Sequence, residues 1–169
     1  SKDRGLAVYL DIQPGLGQEG FRIEGTGKEI RITGNEESGL LYGCGKFLRM
    51  LHLQNNEITP ADWRGTSVPE KKVRGIYFAT HFHNFYHDAP VWELQRYVEE
   101  LALWGLNSLM AWFDMHHFSG IEDPAAREMI DRMRAILQAG KASGMKVGLC
   151  LLANEAYASS PMALRSDPN

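Results

Sequence analysis

Short runs of alternating apolar and polar residues dominate the first half of the chain. A strand is predicted over residues 6–12, and the alternation predicts two more over residues 20–25 and 29–33. Residues 26–28 (Thr-Gly-Lys) separate the last two strands, and a short connection that contains glycine is typical of a β-hairpin. Because alternation places one face against a core and the other in water, these strands indicate a sheet covered on one side.

The next segment changes to a helical period. Its apolar positions recur at the spacing of one helix face. They are Leu40, Leu41, Cys44, Phe47, Leu48 and Leu51. We predict a helix over residues 39–51, with Asn35 or Ser38 capping its start. Three glycines in this helix would each weaken it by roughly 1 kcal/mol, so we expect a close approach to the sheet to compensate.

The second half of the chain alternates between apolar strands and amphipathic helices. Strands are predicted over residues 73–79, 107–113 and 146–152, and helices over residues 90–104 and 124–143. Nearly continuous apolar strands that alternate with helices are typical of a buried parallel sheet. Three strands of this kind form either a small open sheet or the beginning of a barrel, and periodicity alone does not separate the two.

These patterns divide the chain into two predicted domains. Residues 1–58 form an α+β domain, in which an antiparallel sheet packs against one helix. The polar stretch of residues 59–72, which contains Pro60, Gly65 and Pro69, is predicted to be a linker. Residues 73–169 form an α/β domain.

Composition adds mostly exclusions. Hydrophobic residues make up 44% and charged residues 23%, which is an ordinary globular balance. The net charge of −3 gives no basic surface for nucleic acid. No apolar run is long enough to span a bilayer, and the first residues lack a signal-peptide pattern. Cys44 and Cys150 have no metal-type spacing; a disulfide is an alternative, but two buried thiols are the favoured interpretation.

Four motifs in the first half occur in a recognisable order. Residues 19–23 read EGFRI, residues 30–34 read IRITG, residues 38–43 read SGLLYG and residues 47–51 read FLRML. This order resembles the non-catalytic domain that precedes the barrel in family 20 β-N-acetylhexosaminidases, and related domains precede the barrel in α-glucuronidases. The resemblance implies that the first predicted domain is an accessory domain of a carbohydrate-active enzyme.

The second half carries weaker parts of the same resemblance. Residues 73–78 (VRGIYF) look like the first barrel strand of those enzymes, and residues 104–109 (WGLNSL) look like the start of the second. The resemblance implies the first three βα units of a truncated (β/α)8 barrel, an oligosaccharide or glycoside substrate, no cofactor and an extracytoplasmic location. The catalytic Asp-Glu pair of the family follows the fourth strand, so this chain alone is expected to be inactive.

Two segments depart from the family 20 pattern. An aspartate and an arginine-histidine pair follow the first strand in that family, whereas residues 79–83 here read ATHFH. The third strand of the family ends in a carboxylate-rich segment, whereas residues 149–155 here read LCLLANE. The predicted activity is therefore an exo-acting glycosidase that is either hexosaminidase-like or glucuronidase-like.

Candidate binding residues follow from the position of ligand sites in β/α barrels, which lie at the carboxyl ends of the strands. Aromatic faces there suit the C–H face of a sugar ring, and histidine, asparagine and carboxylate groups suit its hydroxyls. Arg74 is included because the arginine of this R-G pair binds sugar hydroxyls in the family. The predicted substrate-binding residues are Arg74, His81, His83, Trp112, Asp114, His116, Asn154 and Glu155.

Two other functions remain as alternatives to hydrolysis. One is a carbohydrate-binding module without catalysis. The other is a metal-dependent hydrolase, because two strand ends carry five histidines that are able to supply a three-ligand zinc site. These are His81, His83, His87, His116 and His117. No established metal motif is present, so we predict no metal. Open sheet edges also predict self-association.

Overall fold

The computed structural model describes residues 5–26, 28–54, 57–80, 83–152 and 156–164. The chain divides into two compact units. The first comprises residues 1–73 with residues 101–105, and the second comprises residues 74–100 with residues 106–169. Among the described residues, no helix is long and apolar enough to cross a membrane.

A four-stranded sheet is the base of the first unit. Its strands are β1 (Ala7–Ile12), β2 (Phe21–Thr26), β3 (Glu29–Gly34) and β6 (Gly65–Ser67), and they lie in the order β1-β3-β2-β6. The predicted hairpin is present, since β2 runs antiparallel to β3. The prediction of a purely antiparallel sheet is wrong, because β1 pairs with β3 in parallel. Alternation along a strand shows which face is buried, but it carries no information about the direction of the neighbouring strand.

The segment that was predicted to be a linker contains regular structure. A second, two-stranded sheet joins β4 (Leu51–Gln54) to β5 (Glu57–Pro60), and β6 then completes the larger sheet by pairing with β2. Arg64 stabilises this return, because its Nε donates to the Gly25 carbonyl at 2.9 Å. A short edge strand needs backbone partners but little apolar surface, which explains why its polar sequence looked like a linker.

One helix, α1 (Glu37–Arg49), covers the sheet of the first unit. The fully buried side chains of Ile23, Ile30 and Ile32 form the centre of the core, and Phe47 of α1 packs among them. The predicted helix is therefore confirmed, although Leu51 already belongs to β4.

The start of α1 differs from the prediction. The residue at the N-cap is Glu36, and its side chain makes no capping hydrogen bond. Asn35 instead accepts hydrogen bonds from the backbone N–H groups of Gly15 and Leu16, at 2.8 and 2.9 Å. The amide of Asn35 therefore holds the loop after β1, because that loop presents two N–H donors which need an acceptor.

The glycines of α1 lie where the helix meets other backbone or side chains closely. A Cβ added to Gly43 would come within 2.7 Å of Cγ2 of Ile32 on the sheet. A Cβ added to Gly39 would overlap the backbone carbonyl oxygen of Gly20, and one added to Gly45 would overlap that of Leu103. The predicted close approach is thus confirmed for the sheet, and two of the three approaches are made to backbone carbonyls.

The second unit is built on three parallel strands. In chain order it contains β7 (Gly75–Phe78), α2 (Phe85–Asp88), most of α3 (Val91–Leu103), β8 (Ser108–Trp112), α4 (Pro124–Ala142) and β9 (Lys146–Cys150), with short 3₁₀ turns at Met115–His117 and Met162–Leu164. The strand order is β7-β8-β9, and both pairings are parallel. The predicted strand–helix alternation is confirmed; the four-residue helix α2 was not predicted, because it is too short to show a period.

The two faces of the parallel sheet differ in burial. Phe78 and Ala111 lie level in the register on one face, and both are fully buried. Tyr77 and Met110 lie level on the other face, and they remain 43% and 39% exposed. Purely parallel sheets are normally covered on both faces, so this exposed apolar face is unusual for an isolated unit.

Both cysteines are free thiols, as the sequence analysis favoured. Cys44 lies on α1 and Cys150 on β9, and each is half-buried. Burial raises the pKa of the Cys44 thiol above its ordinary value, so this group stays protonated at neutral pH. The Cys44 thiol is therefore not poised as a reactive thiolate.

Replacing Gly39 with alanine is expected to destabilise the first unit by about 1–3 kcal/mol. Alanine favours a helix over glycine by about 1 kcal/mol, but the new Cβ would displace a backbone carbonyl that cannot rotate away. Thermal unfolding followed by circular dichroism measures the change. Gly120→Ala is the control, since nothing lies within 4 Å of its added Cβ. An unfolding midpoint that is equal or higher for Gly39→Ala would contradict this packing.

Candidate functional site

The carboxyl ends of β7 and β8 lie side by side because the two strands are parallel neighbours. Thr80, which follows β7 and is only 3% exposed, connects the two ends. Its hydroxyl donates to the carbonyl of Trp112, and its own carbonyl accepts from Nδ1 of His87. One buried threonine thus holds the end of β7, the end of β8 and helix α2 together.

The loop after β7 is held in place by Asn84. Its Oδ1 accepts from the backbone N–H of Tyr86 at 3.0 Å and caps α2, while its Nδ2 donates to the Ala79 carbonyl at 2.8 Å. His83 precedes it with a positive φ of 46°, a conformation that few residues other than glycine adopt. The ring of His83 lies 4.4 Å from that of His87, so this loop presents two imidazoles together.

The end of β8 carries a carboxylate that contacts two imidazoles. Asp114 is 8% exposed and starts the 3₁₀ turn at Met115–His117. Nδ1 of His116 lies 2.8 Å from one oxygen of Asp114, and Nδ1 of His117 lies 3.5 Å from the other. The two imidazole side chains are 58% and 45% exposed, so they are accessible to a ligand. We refer to Asp114, His116 and His117 as the β8 cluster.

Two aromatic side chains lie on the exposed sheet face near the β8 cluster. Trp112 meets Tyr77 edge to face, with ring centroids 6.3 Å apart and an interplanar angle of 86°. The pKa of Tyr77 is raised, mainly by partial burial and further by the nearby groups of Cys150 and Asp114. Tyr77 is a site residue that the sequence analysis missed, although its alternation with Phe78 already placed it on the face opposite the core.

Other aromatic residues of these loops serve as packing. Tyr86 stacks on Phe78 with centroids 4.3 Å apart, and Phe113 is 5% exposed and stacks on Phe118 at 5.5 Å. Their faces are therefore occupied by other rings. Of the described aromatic residues in β7, β8 and the segments that follow them, Trp112 and Tyr77 are the two that lie on the exposed sheet face near Asp114.

The structure does not bring Arg74 to this end of the sheet. The backbone N–H of Arg74 donates to Oδ1 of Asn107, and the Arg74 carbonyl accepts from the backbone N–H of Asn107, both at 2.9 Å. Asn107 lies five residues before Trp112, which is roughly 16 Å along the strand at the rise of a parallel strand. Arg74 also shares a face of the strand with Ile76 and Phe78, and this face is opposite to that of Tyr77. Its predicted role in sugar binding stays a prediction.

The remaining predicted residues divide into two groups. His83 lies with His87 and Asp88 beyond β7. His81, Asn154 and Glu155 lie outside the described residues. The structure thus brings together Trp112, Asp114 and His116 from the predicted set, and it adds Tyr77 and His117.

A separate cleft of about 840 Å³ lies between α2 and α4. His87, Asp88, Glu128 and Arg132 contribute its polar lining. Nε of Arg132 donates to the Tyr86 carbonyl at 3.2 Å, and partial burial lowers its pKa, although not enough to remove its charge. Arg132 therefore anchors α2 to α4 and is committed to that structural contact.

Comparison with known proteins gives structural matches alone. No protein-family model and no curated protein matches the chain. It is similar to a family 20 exo-β-N-acetylglucosaminidase from Vibrio harveyi, with a TM-score of 0.67 and 14% identity over 90% of this chain and 28% of that one. A family 20 β-N-acetylhexosaminidase from Streptomyces coelicolor A3(2) matches with a TM-score of 0.61 and 17% identity, over 86% and 34% of the respective chains.

A third match comes from another glycosidase family. A family 138 enzyme that targets pectin rhamnogalacturonan II has a TM-score of 0.59 and 18% identity, and the match covers 86% of this chain and 20% of that one. At these identities the likeness shows the fold. The chain spans about a third or less of the length of these enzymes, so their activities are not thereby activities of this chain.

Replacing Thr80 with valine is expected to destabilise the strand ends by about 1–3 kcal/mol, because it removes a buried hydroxyl that donates to the Trp112 carbonyl. Hydrogen–deuterium exchange should become faster at residues 112–118 and stay unchanged in α1. Thr80→Ser is the matched control, since it keeps the hydroxyl. Equal protection in the valine and serine variants would show that this hydrogen bond does not hold the site.

Proposed function

We propose that this chain is the N-terminal part of a carbohydrate-active enzyme that hydrolyses glycosidic bonds. Its first unit is an accessory domain, and its three parallel strands are strands 1–3 of a (β/α)8 barrel. The activity is exo-acting and either hexosaminidase-like or glucuronidase-like. The catalytic carboxylate pair is supplied by parts of the protein outside this sequence.

The exposed face of the parallel sheet supports the barrel. Tyr77, Met110 and Trp112 lie on the face that no described helix covers, and Tyr77 and Met110 are substantially exposed apolar side chains. Leaving such surface in water is unfavourable by about 25 cal/mol per Å², and closure into a barrel would bury it. Barrel interiors are packed with side chains of this kind.

The observation that carries the proposal is the β8 cluster beside Trp112. A sugar ring presents an apolar C–H face and a rim of hydroxyls, and it needs an aromatic surface next to hydrogen-bonding groups. Trp112 offers the surface. His116 and His117 offer the hydrogen-bonding groups at the carboxyl end of the strand, which is where β/α barrels bind their ligands.

Asp114 acts on these imidazoles as a positioning residue. A neutral imidazole that donates from Nδ1 to a carboxylate has its acceptor at Nε2. Asp114 therefore favours the tautomer of His116, the closer ring, in which Nε2 is able to accept a hydrogen bond from a sugar hydroxyl. Because the Asp114 carboxylate is occupied in this way, it is a poor choice for a catalytic acid or nucleophile.

Hydrolysis requires two carboxyl groups on either side of the scissile bond. Among the described residues that directly follow β7, β8 and β9, Asp114 is the carboxylate that the structure places at a strand end. One occupied carboxylate does not meet the requirement. Because the catalytic pair of family 20 enzymes follows the fourth barrel strand, we expect the 169-residue chain to bind glycosides without cleaving them.

Sugar binding by the chain tests this proposal. Titration with methyl β-N-acetylglucosaminide and methyl β-glucuronide, followed by ¹H–¹⁵N NMR, should shift the indole N–H signal of Trp112 and the amides of residues 114–118. Trp112→Ala should weaken binding by at least about tenfold, since burial of a large apolar side chain contributes roughly 1.5–3 kcal/mol. No aryl-glycoside turnover should accompany binding.

The control for this titration is Trp92→Ala, which removes an exposed tryptophan on α3 that lies outside the site. It should bind as the unaltered chain does. If neither sugar shifts the Trp112 signal, or if Trp112→Ala binds normally, the sugar site lies elsewhere. Cleavage of an aryl glycoside by the purified chain would overturn the assignment of catalysis to residues outside this sequence.

We also propose that the chain associates with itself through the β9 side of its second unit. A groove of about 550 Å³ there is lined by apolar side chains, including Ile130, Met133, Leu137, Val147 and Leu149. Leu149 is 47% exposed. An exposed apolar groove beside a sheet edge is a surface that a second copy is able to cover.

Sedimentation velocity tests this association. The sedimentation coefficient of the chain should rise with concentration, and Leu149→Lys should abolish the rise by placing a charge in the groove. Leu53→Lys is the control, because Leu53 is 78% exposed and belongs to the first unit. A strictly monomeric chain at all concentrations would exclude this contact.

A further inference from the structure

We propose that the β8 cluster binds a divalent zinc-type metal ion through one atom each of Asp114, His116 and His117. One ligand atom of each residue lies within 4.8 Å of the ligand atoms of the other two. The sequence analysis predicted no metal, because the spacing of these residues matches no established motif. The inference rests on the folded geometry of the 3₁₀ turn at Met115–His117.

The distances between the ligand atoms suit a tetrahedral ion. Zinc bonds to imidazole nitrogen and carboxylate oxygen of about 2.0–2.1 Å place neighbouring ligand atoms about 3.3 Å apart. Nδ1 of His116 lies 2.8 Å from Oδ1 of Asp114, and Nδ1 of His117 lies 3.5 Å from Oδ2 of the same carboxylate. Since one ligand atom of each residue also lies within 4.8 Å of the other two, side-chain rotations are sufficient to bring one atom of each residue to a single ion.

The backbone of the turn sets this geometry. Asp114 is the N-cap of the turn, and the backbone N–H of Phe118 donates to the Met115 carbonyl at 3.1 Å. Asp114 is buried against the strand end, and both histidines project from the turn with much of their imidazole surface exposed. A buried carboxylate with two accessible imidazoles leaves the fourth position of a tetrahedral ion open to water or to another ligand.

The donor set also selects the type of metal. Two imidazole nitrogens and one carboxylate suit zinc and neighbouring transition metals. Magnesium and calcium prefer sites made of oxygen ligands and should bind weakly here. An ion would in addition bind both imidazoles and the carboxylate at once. Without an ion, the carboxylate makes a short contact with His116 and a longer one with His117.

A second group of potential ligands follows β7, but it is less suited to a metal. It consists of His83, His87 and Asp88, whose ligand atoms also lie within 4.8 Å of one another. Nδ1 of His87 donates to the Thr80 carbonyl and contributes to the connection between the strand ends. Metal binding through this atom would break that hydrogen bond and weaken the connection between the strand ends.

Metal binding does not depend on the proposed sugar site, although the two share residues. Metal measurements are therefore made without sugar, and the NMR titration of sugar binding is made with a chelator present. Sugar binding without metal would leave the proposed function intact while this inference fails. Metal binding without sugar binding would support this inference while the proposed function fails.

The test is equilibrium dialysis of the purified chain against Zn²⁺, with bound zinc measured by mass spectrometry, and titration with Co²⁺ followed by visible absorption. The chain should bind one zinc ion and should give the intense d–d bands of a four- or five-coordinate cobalt site. His116→Ala and His117→Ala should each weaken zinc binding by at least about tenfold. Mg²⁺ should not compete.

Two variants serve as controls, and circular dichroism verifies that every variant is folded. His52→Ala removes an exposed histidine on β4 of the first unit, and His87→Ala disrupts the second group. Both should bind zinc as the unaltered chain does. The inference is overturned if the unaltered chain binds no zinc, if folded His116→Ala and His117→Ala bind it normally, or if His87→Ala is the variant that loses it.

Discussion

The parallel pairing of β8 with both β7 and β9 is the constraint on which the candidate site depends. Parallel neighbours end at the same edge of a sheet, so residues that are more than thirty positions apart in the chain meet there. Thr80 fixes that meeting through its hydrogen bond to the Trp112 carbonyl. The positions of Trp112, Asp114 and the two histidines follow from this pairing, and none of them would be defined by its own short segment alone.

Much of the fold could be predicted because its signals are local. Helix α1 and the strand–helix alternation of the second half are visible in the period of apolar residues. The parallel β1–β3 pair and the edge strand β6 were missed for a common reason. Both depend on backbone hydrogen bonds to distant strands, and the side-chain pattern does not record those partners. Asn35 was likewise one of two residues considered for the helix cap, because the sequence does not reveal its distant partners, the N–H groups after β1.

The position of the candidate site could be predicted from the sequence, but only some of its residues could. The rule that ligands lie at the carboxyl ends of strands directed attention to Trp112, Asp114 and His116, which the structure brings together. Tyr77 was missed because it lies inside a strand, and Arg74 was included although the structure places it at the other end of β7. The contact of both imidazoles with one carboxylate also could not be predicted, since it depends on the 3₁₀ turn. That turn makes the same residues suitable for a sugar hydroxyl and for a metal ion.

We propose that the end of β8, beside the exposed sheet face, is the ligand site of a glycosidase-type barrel. A crystal structure of the chain soaked with a β-N-acetylglucosaminide or a β-glucuronide tests this assignment. Density for a sugar ring is expected against Trp112, with hydroxyls within hydrogen-bonding distance of His116 or His117. Sugar density confined to the cleft between α2 and α4, with none at Trp112, would contradict it.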